Sequence, residues 1–533
     1  MESKRKYIIT LLTLGTVLFL INLGNRDLWE PDETRYAVVA REMRETGQWI
    51  LPHLNRAIYA EKPPLFFWMV NLSILFLGED SELANRLPSA LTGLITLLIT
   101  FLFGERLFNS RVGFLSASVL ATCLFFPQLS RWMMLDSLLT LLFLLTLFCL
   151  YLGYEKDEGR RRYYLLGGLF MGLGVLAKGP LAWLPLPIFL IFTFFQKRHR
   201  KFWCVDLLWG FVLSLAIVLA WLIPACLMGG EDYAKRILLE QTVGRLLGNG
   251  RHVHPKSFFF YFTRFPAEFI PWIVFLPTAF VFAFRKGEVI KRRELLFLSI
   301  WFIFIFTFFT FSKGKKDNYL LPLYPAAAIL IGWFWDRLIL SQAREKGVIA
   351  GLLLLTCLVL VAFALFFIGF PEKLYPALMP YRLLVFSILS YLLIGLSASL
   401  LCFITGKKWV SFICIVITFA IFHLHIFCSL PQRLNAEWSM KAFSERILKR
   451  MEVGDELKLG YFCPPGLLFY TRKVFLEEIR SRDRFFEVFR SPQRVFMVIR
   501  RGDLDQLRRD FGMEVNIIEQ KNIYWSLVLI SNR

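Results

Sequence analysis

Residues 25–67 read NRDLWEPDETRYAVVAREMRETGQWILPHLNRAIYAEKPPLFF. Paired acids, paired arginines, a histidine and a lysine stand here between two strongly apolar runs, and such residues are costly beside a lipid phase unless they are used. The stretch decides the fold because it must be a polar excursion between membrane segments.

The rest of the composition agrees with that reading. The chain has 533 residues, 56% of them hydrophobic and 17% aromatic, and a mean hydropathy of +0.54; soluble globular chains are far more polar. A polytopic membrane protein is predicted. The net charge of +21 comes from short Lys and Arg clusters between apolar runs, the pattern of cytoplasmic loops and not of a nucleic-acid surface. Seven cysteines (Cys123, Cys149, Cys226, Cys357, Cys402, Cys414 and Cys428) lie in apolar runs, while Cys204 and Cys463 stand alone. No CxxC and no disulfide framework can be read from them.

Apolar runs of about 17 to 25 residues mark spans. Candidates fall near 7–24, 84–104, 112–128, 136–153, 163–178, 180–195, 206–227, 269–285, 294–311, 319–338, 347–370, 382–404 and 409–428, about thirteen in all. The first follows KRK without a small-residue cleavage site, so it reads as a retained helix. The run from Pro64 to Gly78 is too short to cross, and orientation decides its place. If it lies at the interface or re-enters, every basic loop falls on the side of the N-terminus, as the positive-inside rule requires.

The expected architecture is an all-α membrane domain over 1–430 with outer loops at 25–83 and 228–268, followed by a small α/β domain over 431–533. The sequence FSKGKKDNY at 311–319 is the exception to the charge rule. Lys313, Lys315 and Lys316 stand on the face that should be poor in cations, which points to a bound anion such as phosphate.

Within the first loop, Tyr36, Val39, Ala40 and Met43 recur at helical spacing, with Arg41, Glu42, Arg44 and Glu45 opposite and Gly47 as a stop. An amphipathic helix along the membrane surface is predicted, entered through Pro31, with Asp32 and Glu33 in its first turn. For Glu33 the helix dipole is sufficient reason. Pro63 and Pro64 fix Glu61 and Lys62 in a corner at the membrane mouth. Asp136, at the start of MMLDSLLT, suits a helix cap as well as a catalytic carboxylate. Lys178 in LAKGP suits snorkelling as well as a headgroup contact.

The run LWEPDETRYAVVAREMRETGQWILPHLNRAIYAEKPPL resembles the first periplasmic loop of the bacterial transferases that move 4-amino-4-deoxy-L-arabinose from undecaprenyl phosphate to lipid A. These are GT-C glycosyltransferases related to the dolichyl-phosphate-mannose protein O-mannosyltransferases. The resemblance extends through RLPSAL, MMLDSLLT, LAKGP at 176–180, EQTVGRLLGNGRHVHPKSFFFYF at 240–262 and FSKGKKDNYLLPLYPA at 311–326. Ala60 and Pro64, which flank the EKP, depart from some lipid A transferases and match less specialised members.

The resemblance implies an inner-membrane enzyme using a polyprenyl-phosphate sugar, with its N-terminus cytoplasmic and its tail domain periplasmic. It implies Asp32 as catalytic base or acceptor-orienting carboxylate, with Asp136 and Glu33 beside it in that role. It implies Lys62, Lys178, Arg245, Lys313, Lys315 and Tyr319 on the donor phosphate, and Arg35, Tyr36, His53, Tyr59 and His254 on substrate. It also implies a divalent metal (zinc, magnesium or manganese) held in part by Glu61, with His53, His254 or His425 as open choices for a partner. No HxxxH or HExxH spacing supports a zinc site, and a hydrogen-bonded role at the interface is the favoured reading for each of His53, His252, His254, His423 and His425. Transfer of a hexose to protein or another glycolipid is the neighbouring expectation. A multi-span transporter is the other class, opposed by the absence of an internal repeat.

Overall fold

The computed structural model describes residues 2–156, 158–196, 205–244, 256–284, 292–341, 345–367, 381–511, 515–523 and 525–532. Its helices account for most of the chain. Among the described residues eight helices are long and apolar enough to cross a membrane. Two bent pairs raise that to ten if each is one span: Ser110–Thr122 with Phe125–Arg131, bent by 69°, and Phe260–Glu268 with Trp272–Ala283, bent by 109°. The protein is a multi-pass membrane protein.

Three of the expected apolar runs account for the difference from about thirteen. The run at 7–24 lies in helix Glu2–Leu20, which carries Lys4, Arg5 and Lys6. The run at 163–178 lies in Arg160–Lys178, which opens on three arginines. The run at 180–195 breaks into a 3-10 turn at Pro180–Trp183 and an eleven-residue helix, Pro185–Phe195. Helix Leu65–Leu77 has 13 residues, about 20 Å of rise, short of the roughly 30 Å hydrocarbon layer. Its end exposes Leu75 and Phe76, and Gly78 closes it in the left-handed conformation.

By packing, the chain divides into two units: residues 1–21, 61–63 and 88–429, and residues 22–60, 64–87 and 430–533. In the first unit, aromatic residues from four helices (Phe103, Tyr151, Phe192, and Phe297 with Trp301) meet in one buried cluster. Helices Arg160–Lys178 and Val205–Lys235 cross where glycine faces glycine. A methyl group on Gly168 would lie 1.9 Å from the Gly210 carbonyl oxygen. Such small-residue crossings let membrane helices approach backbone to backbone.

The second unit holds the first loop and the tail. Helix Asp32–Thr46 starts after Pro31 and stops at Gly47, as its sequence predicts. Its charged side, however, is not a solvated face: Glu33, Arg41 and Glu42 are all buried. Arg41 Nε donates to Asp80 at 2.7 Å, Arg44 reaches the same carboxylate at 3.3 Å, and Arg56 N donates to Glu42 at 2.7 Å. Partners from neighbouring segments thus replace water around these charges. A hairpin follows, β1 (His53–Leu54) and β2 (Ala57–Ile58), turned by Asn55 and Arg56 at φ 53° and 63°; asparagine tolerates that region better than most residues.

The tail is an α/β fold. Strands β3 (Glu456–Gly460), β4 (Glu478–Ile479), β5 (Val495–Arg500), β6 (Ile517–Asn522) and β7 (Ser526–Ser531) order as β4-β3-β5-β7-β6. The first three strands in that order run parallel and the last two pairings are antiparallel. Central β5 is VFMVIR with five buried residues in a row. A strand covered on both faces reads as a continuous apolar run and not an alternating one.

Candidate functional site

In the first unit, four predicted or newly visible residues converge. Asp136 sits in the first turn of helix Leu135–Glu155. Ser89 fixes the entry to that helix, since its hydroxyl accepts from Met134 N at 3.1 Å. Lys178 ends helix Arg160–Lys178, which halts at Gly179 with φ 95°. Its ammonium donates to Asp136 Oδ1. Asn318 Nδ2 donates to Asp136 Oδ2 at 2.9 Å. Both carboxylate oxygens are therefore taken by side chains from elsewhere in the chain, and Asp136 is a junction, not a helix cap.

The Lys178 ammonium also lies 5.1 Å from the centroid of the Tyr319 ring, within cation–π range. Tyr319, on the turn Asp317–Leu323, lies tilted against Phe309 with ring centroids 5.4 Å apart. Tyr261 holds that turn by donating to the Lys316 carbonyl at 2.9 Å. The lysine cluster beside it is split. Lys313 is exposed, whereas Lys315 is 6% exposed and donates to the Ser312 carbonyl at 2.5 Å. Burial pulls the Lys315 ammonium below its ordinary range.

Asn318 was not among the expected residues. Its amide orientation is forced, because a carboxylate accepts only and so takes the NH2 end. Its carbonyl oxygen is then buried without a hydrogen-bond partner among the described residues. Such an atom costs about 1–3 kcal/mol until a donor reaches it. The signal in the sequence was only its place beside Tyr319.

In the second unit the acids are arranged otherwise. Asp32 is partly exposed and 3.7 Å from Arg35. Glu33 is 2% exposed. Its Oε1 accepts from Arg26 at 2.7 Å and Arg86 at 2.8 Å, and its Oε2 from Trp29 N and Arg86, both at 3.0 Å. Burial opposes its charge, yet Arg26 and Arg86 hold the carboxyl down at about 2. Arg86, fully buried, spends its other N–H groups on the carbonyls of Leu23, Arg26 and Asp27. It is the arginine of RLPSAL, and its role had no sequence signal beyond that match.

Tyr36 and Tyr59 are buried, with their rings 6.1 and 6.2 Å from Phe67. His53 Nδ1 bonds the Leu51 carbonyl at 2.8 Å. Lys62 is buried in the first unit, next to half-buried Glu61. His423 is buried against the Cys123 carbonyl, 3.1 Å from Nε2. Arg245, His252 and His254 lie outside the described residues. Among the described residues no three His, Cys, Asp or Glu side chains group to hold a metal, at Glu61 or elsewhere. The ligand set that zinc needs is not assembled there.

Residues 61–225 match the family model described as dolichyl-phosphate-mannose-protein mannosyltransferase. The chain is 32% identical over 354 residues to undecaprenyl phosphate-alpha-4-amino-4-deoxy-L-arabinose arabinosyl transferase 2 of Pseudomonas fluorescens, covering 65% of this chain and 62% of that one. It is 28% identical over 415 residues to the corresponding transferase of Photorhabdus laumondii, covering 76% and 74%. The first of these matches thus spans about three fifths of the relative's length. The crystal structure of ArnT from Cupriavidus metallidurans bound to undecaprenyl phosphate superposes with a TM-score of 0.80 at 20% identity, over 99% of this chain and 98% of that one. The chain belongs to the GT-C glycosyltransferase family that joins the bacterial aminoarabinose transferases to the protein O-mannosyltransferases.

Proposed function

We propose that this protein moves 4-amino-4-deoxy-L-arabinose from undecaprenyl phosphate to lipid A at the periplasmic face of a bacterial inner membrane. The observation that carries the reading is the buried junction of Lys178, Asp136, Asn318 and Tyr319. It places a cation, an acceptor and an aromatic face together inside a fold whose solved relative is bound to undecaprenyl phosphate. The distribution of basic loops supports a cytoplasmic N-terminus and a periplasmic tail.

In the reaction, an acceptor oxygen attacks the anomeric carbon and the bond from that carbon to the phosphate oxygen breaks. Negative charge grows on the departing undecaprenyl phosphate. Lys178 is the residue assigned to meet it, together with Lys62, Arg245, Lys313, Lys315 and the Tyr319 hydroxyl; fixed positive charge at a leaving phosphate is the largest effect such a site supplies. Asp136 holds Lys178 in place before the carrier arrives. Asp32, with its carboxylate partly open, orients the acceptor and takes its proton when it has one. Arg35, Tyr36, His53, Tyr59 and His254 are assigned to the sugar and acceptor.

A second reading is supported by the match over residues 61–225 to mannosyltransferases: a hexose delivered to a protein or another glycolipid. Purified protein supplied with each carrier-linked sugar and each acceptor separates the two. Transfer of the aminopentose to lipid A alone fits the first reading, and transfer of a hexose to protein overturns it. Asp32→Asn with full transfer would remove Asp32 from the chemistry.

A further inference from the structure

We propose that the tail, residues 430–533, is a brace that sets the position of the Asp32 helix, with Glu30 as its positioning residue; the proposal rests on the transferase reading above. The tail carries no catalytic motif, yet the segment leading into Asp32 is tied to it at successive residues. Leu28 N donates to the Tyr470 hydroxyl at 2.7 Å, Trp29 Nε1 to Asn435 Oδ1 at 3.0 Å and Glu30 N to the Trp438 carbonyl at 3.4 Å. Further along the helix, Arg41 donates to the Phe469 carbonyl at 2.8 Å and lies 4.3 Å over its ring. Past the helix, Asn55 makes a two-way bond with the Leu476 backbone, 2.9 Å in each direction. Helix Asp32–Thr46 is thus tied before, along and after its length. Many of these bonds engage main-chain groups, which fixes place and does no chemistry.

Glu30 is the tie nearest Asp32. It is 5% exposed. One carboxylate oxygen accepts from Gly466 N and the other from the Thr34 hydroxyl at 2.8 Å, so the side chain bridges the tail to the first turn that carries Asp32. Gly466 is what permits it. A Cβ there would lie 2.4 Å from Glu30 Oε1 and 2.9 Å from Met440 Cβ. Any larger residue pushes the carboxylate off the amide.

The test uses the full chain in proteoliposomes with the carrier-linked sugar and lipid A. Three quantities are read: kcat, KM for the carrier, and amide hydrogen exchange over residues 32–40. Gly466→Ala and Glu30→Ala are expected to lower kcat at least tenfold, change KM less than threefold and speed exchange over 32–40. Glu30→Gln keeps an oxygen acceptor and is expected to restore kcat to within threefold of the parent, which a loss of bulk stability would not explain. Should Gly466→Ala fail to fold, Tyr470→Phe removes one acceptor without adding volume and is expected to lower kcat about threefold. Faster exchange with kcat kept within twofold overturns the positioning role, and unchanged exchange in Gly466→Ala and Glu30→Ala overturns the brace. An inactive parent protein overturns the transferase reading alone, and the exchange over 32–40 still decides the brace.

Discussion

The acid–base junction around Glu33 in one packing unit and that around Asp136 in the other differ in how their partners are arranged. Around Glu33, two arginines and a backbone amide fill both carboxylate oxygens, and Arg86 spends its remaining N–H groups on carbonyls. Around Asp136, one lysine and one amide fill the carboxylate, but the Asn318 oxygen has no hydrogen-bond partner among the described residues and the Lys178 ammonium faces an aromatic ring. A carboxylate closed between two arginines and an amide holds a fold together. A junction with capacity left over can take a ligand.

That contrast can be broken at either end. Arg86→Ala is expected to have the largest effect: it takes one of two arginines from the buried Glu33 carboxylate and the shared donor from the Leu23, Arg26 and Asp27 carbonyls, a loss of about 3–5 kcal/mol. Thermal unfolding in detergent would show it as a large drop in Tm, with no rescue by Arg86→Lys, because one ammonium cannot reach five acceptors. Lys178→Ala is expected to cut kcat by about 10²–10³ with a smaller drop in Tm than Arg86→Ala, because Asn318 still donates to the Asp136 carboxylate. A Tm loss as large as that of Arg86→Ala would make the Asp136 junction structural as well. Asn318→Ala is expected to lower kcat/KM about tenfold, or about 1.4 kcal/mol, the worth of one hydrogen bond to substrate, with the smallest drop in Tm of the three.

The smallest expected effect is on pH dependence, through two acids three residues apart. Glu33 is buried, but Arg26 and Arg86 hold its carboxyl at about 2 against an ordinary 4.5. Its share of stability is complete above pH 4.5 and is lost as pH falls toward 2. For Glu30, burial pushes the carboxyl up to about 7, against the pull of Thr34, the Gly466 amide and Arg35, with Asp32 adding to the rise; the Cys463 thiol is its other titrating neighbour. Its share is present below pH 4.5 and is lost as pH rises through 7. Profiles of Tm against pH should therefore flatten on the acid limb in Glu33→Gln and between pH 4.5 and 7 in Glu30→Gln.

What the sequence made legible follows from what each residue needed. The Asp32–Thr46 helix was readable because Pro31, the apolar spacing and Gly47 are all local signals. The burial of its charged side was not, since Asp80 and the Arg56 amide reach it only through tertiary folding. The short helix Leu65–Leu77 was readable from length alone, whereas the bend at 122–125 falls inside an apolar run that gives no sign of it, and the bend at 268–272 falls at Glu268 and Pro271. Lys178 and Asp136 could each be named from sequence, but 42 positions of separation hid that they bond to one another. Asn318 and Arg86 escaped because their meaning lies in what they touch.

The most direct test of the account is mass spectrometry of lipid A after incubation with undecaprenyl phosphate-linked 4-amino-4-deoxy-L-arabinose and either the parent protein or Lys178→Ala. The account predicts an added aminopentose with the parent protein and almost none with the variant. No addition by the parent protein, or equal addition by both, would contradict it.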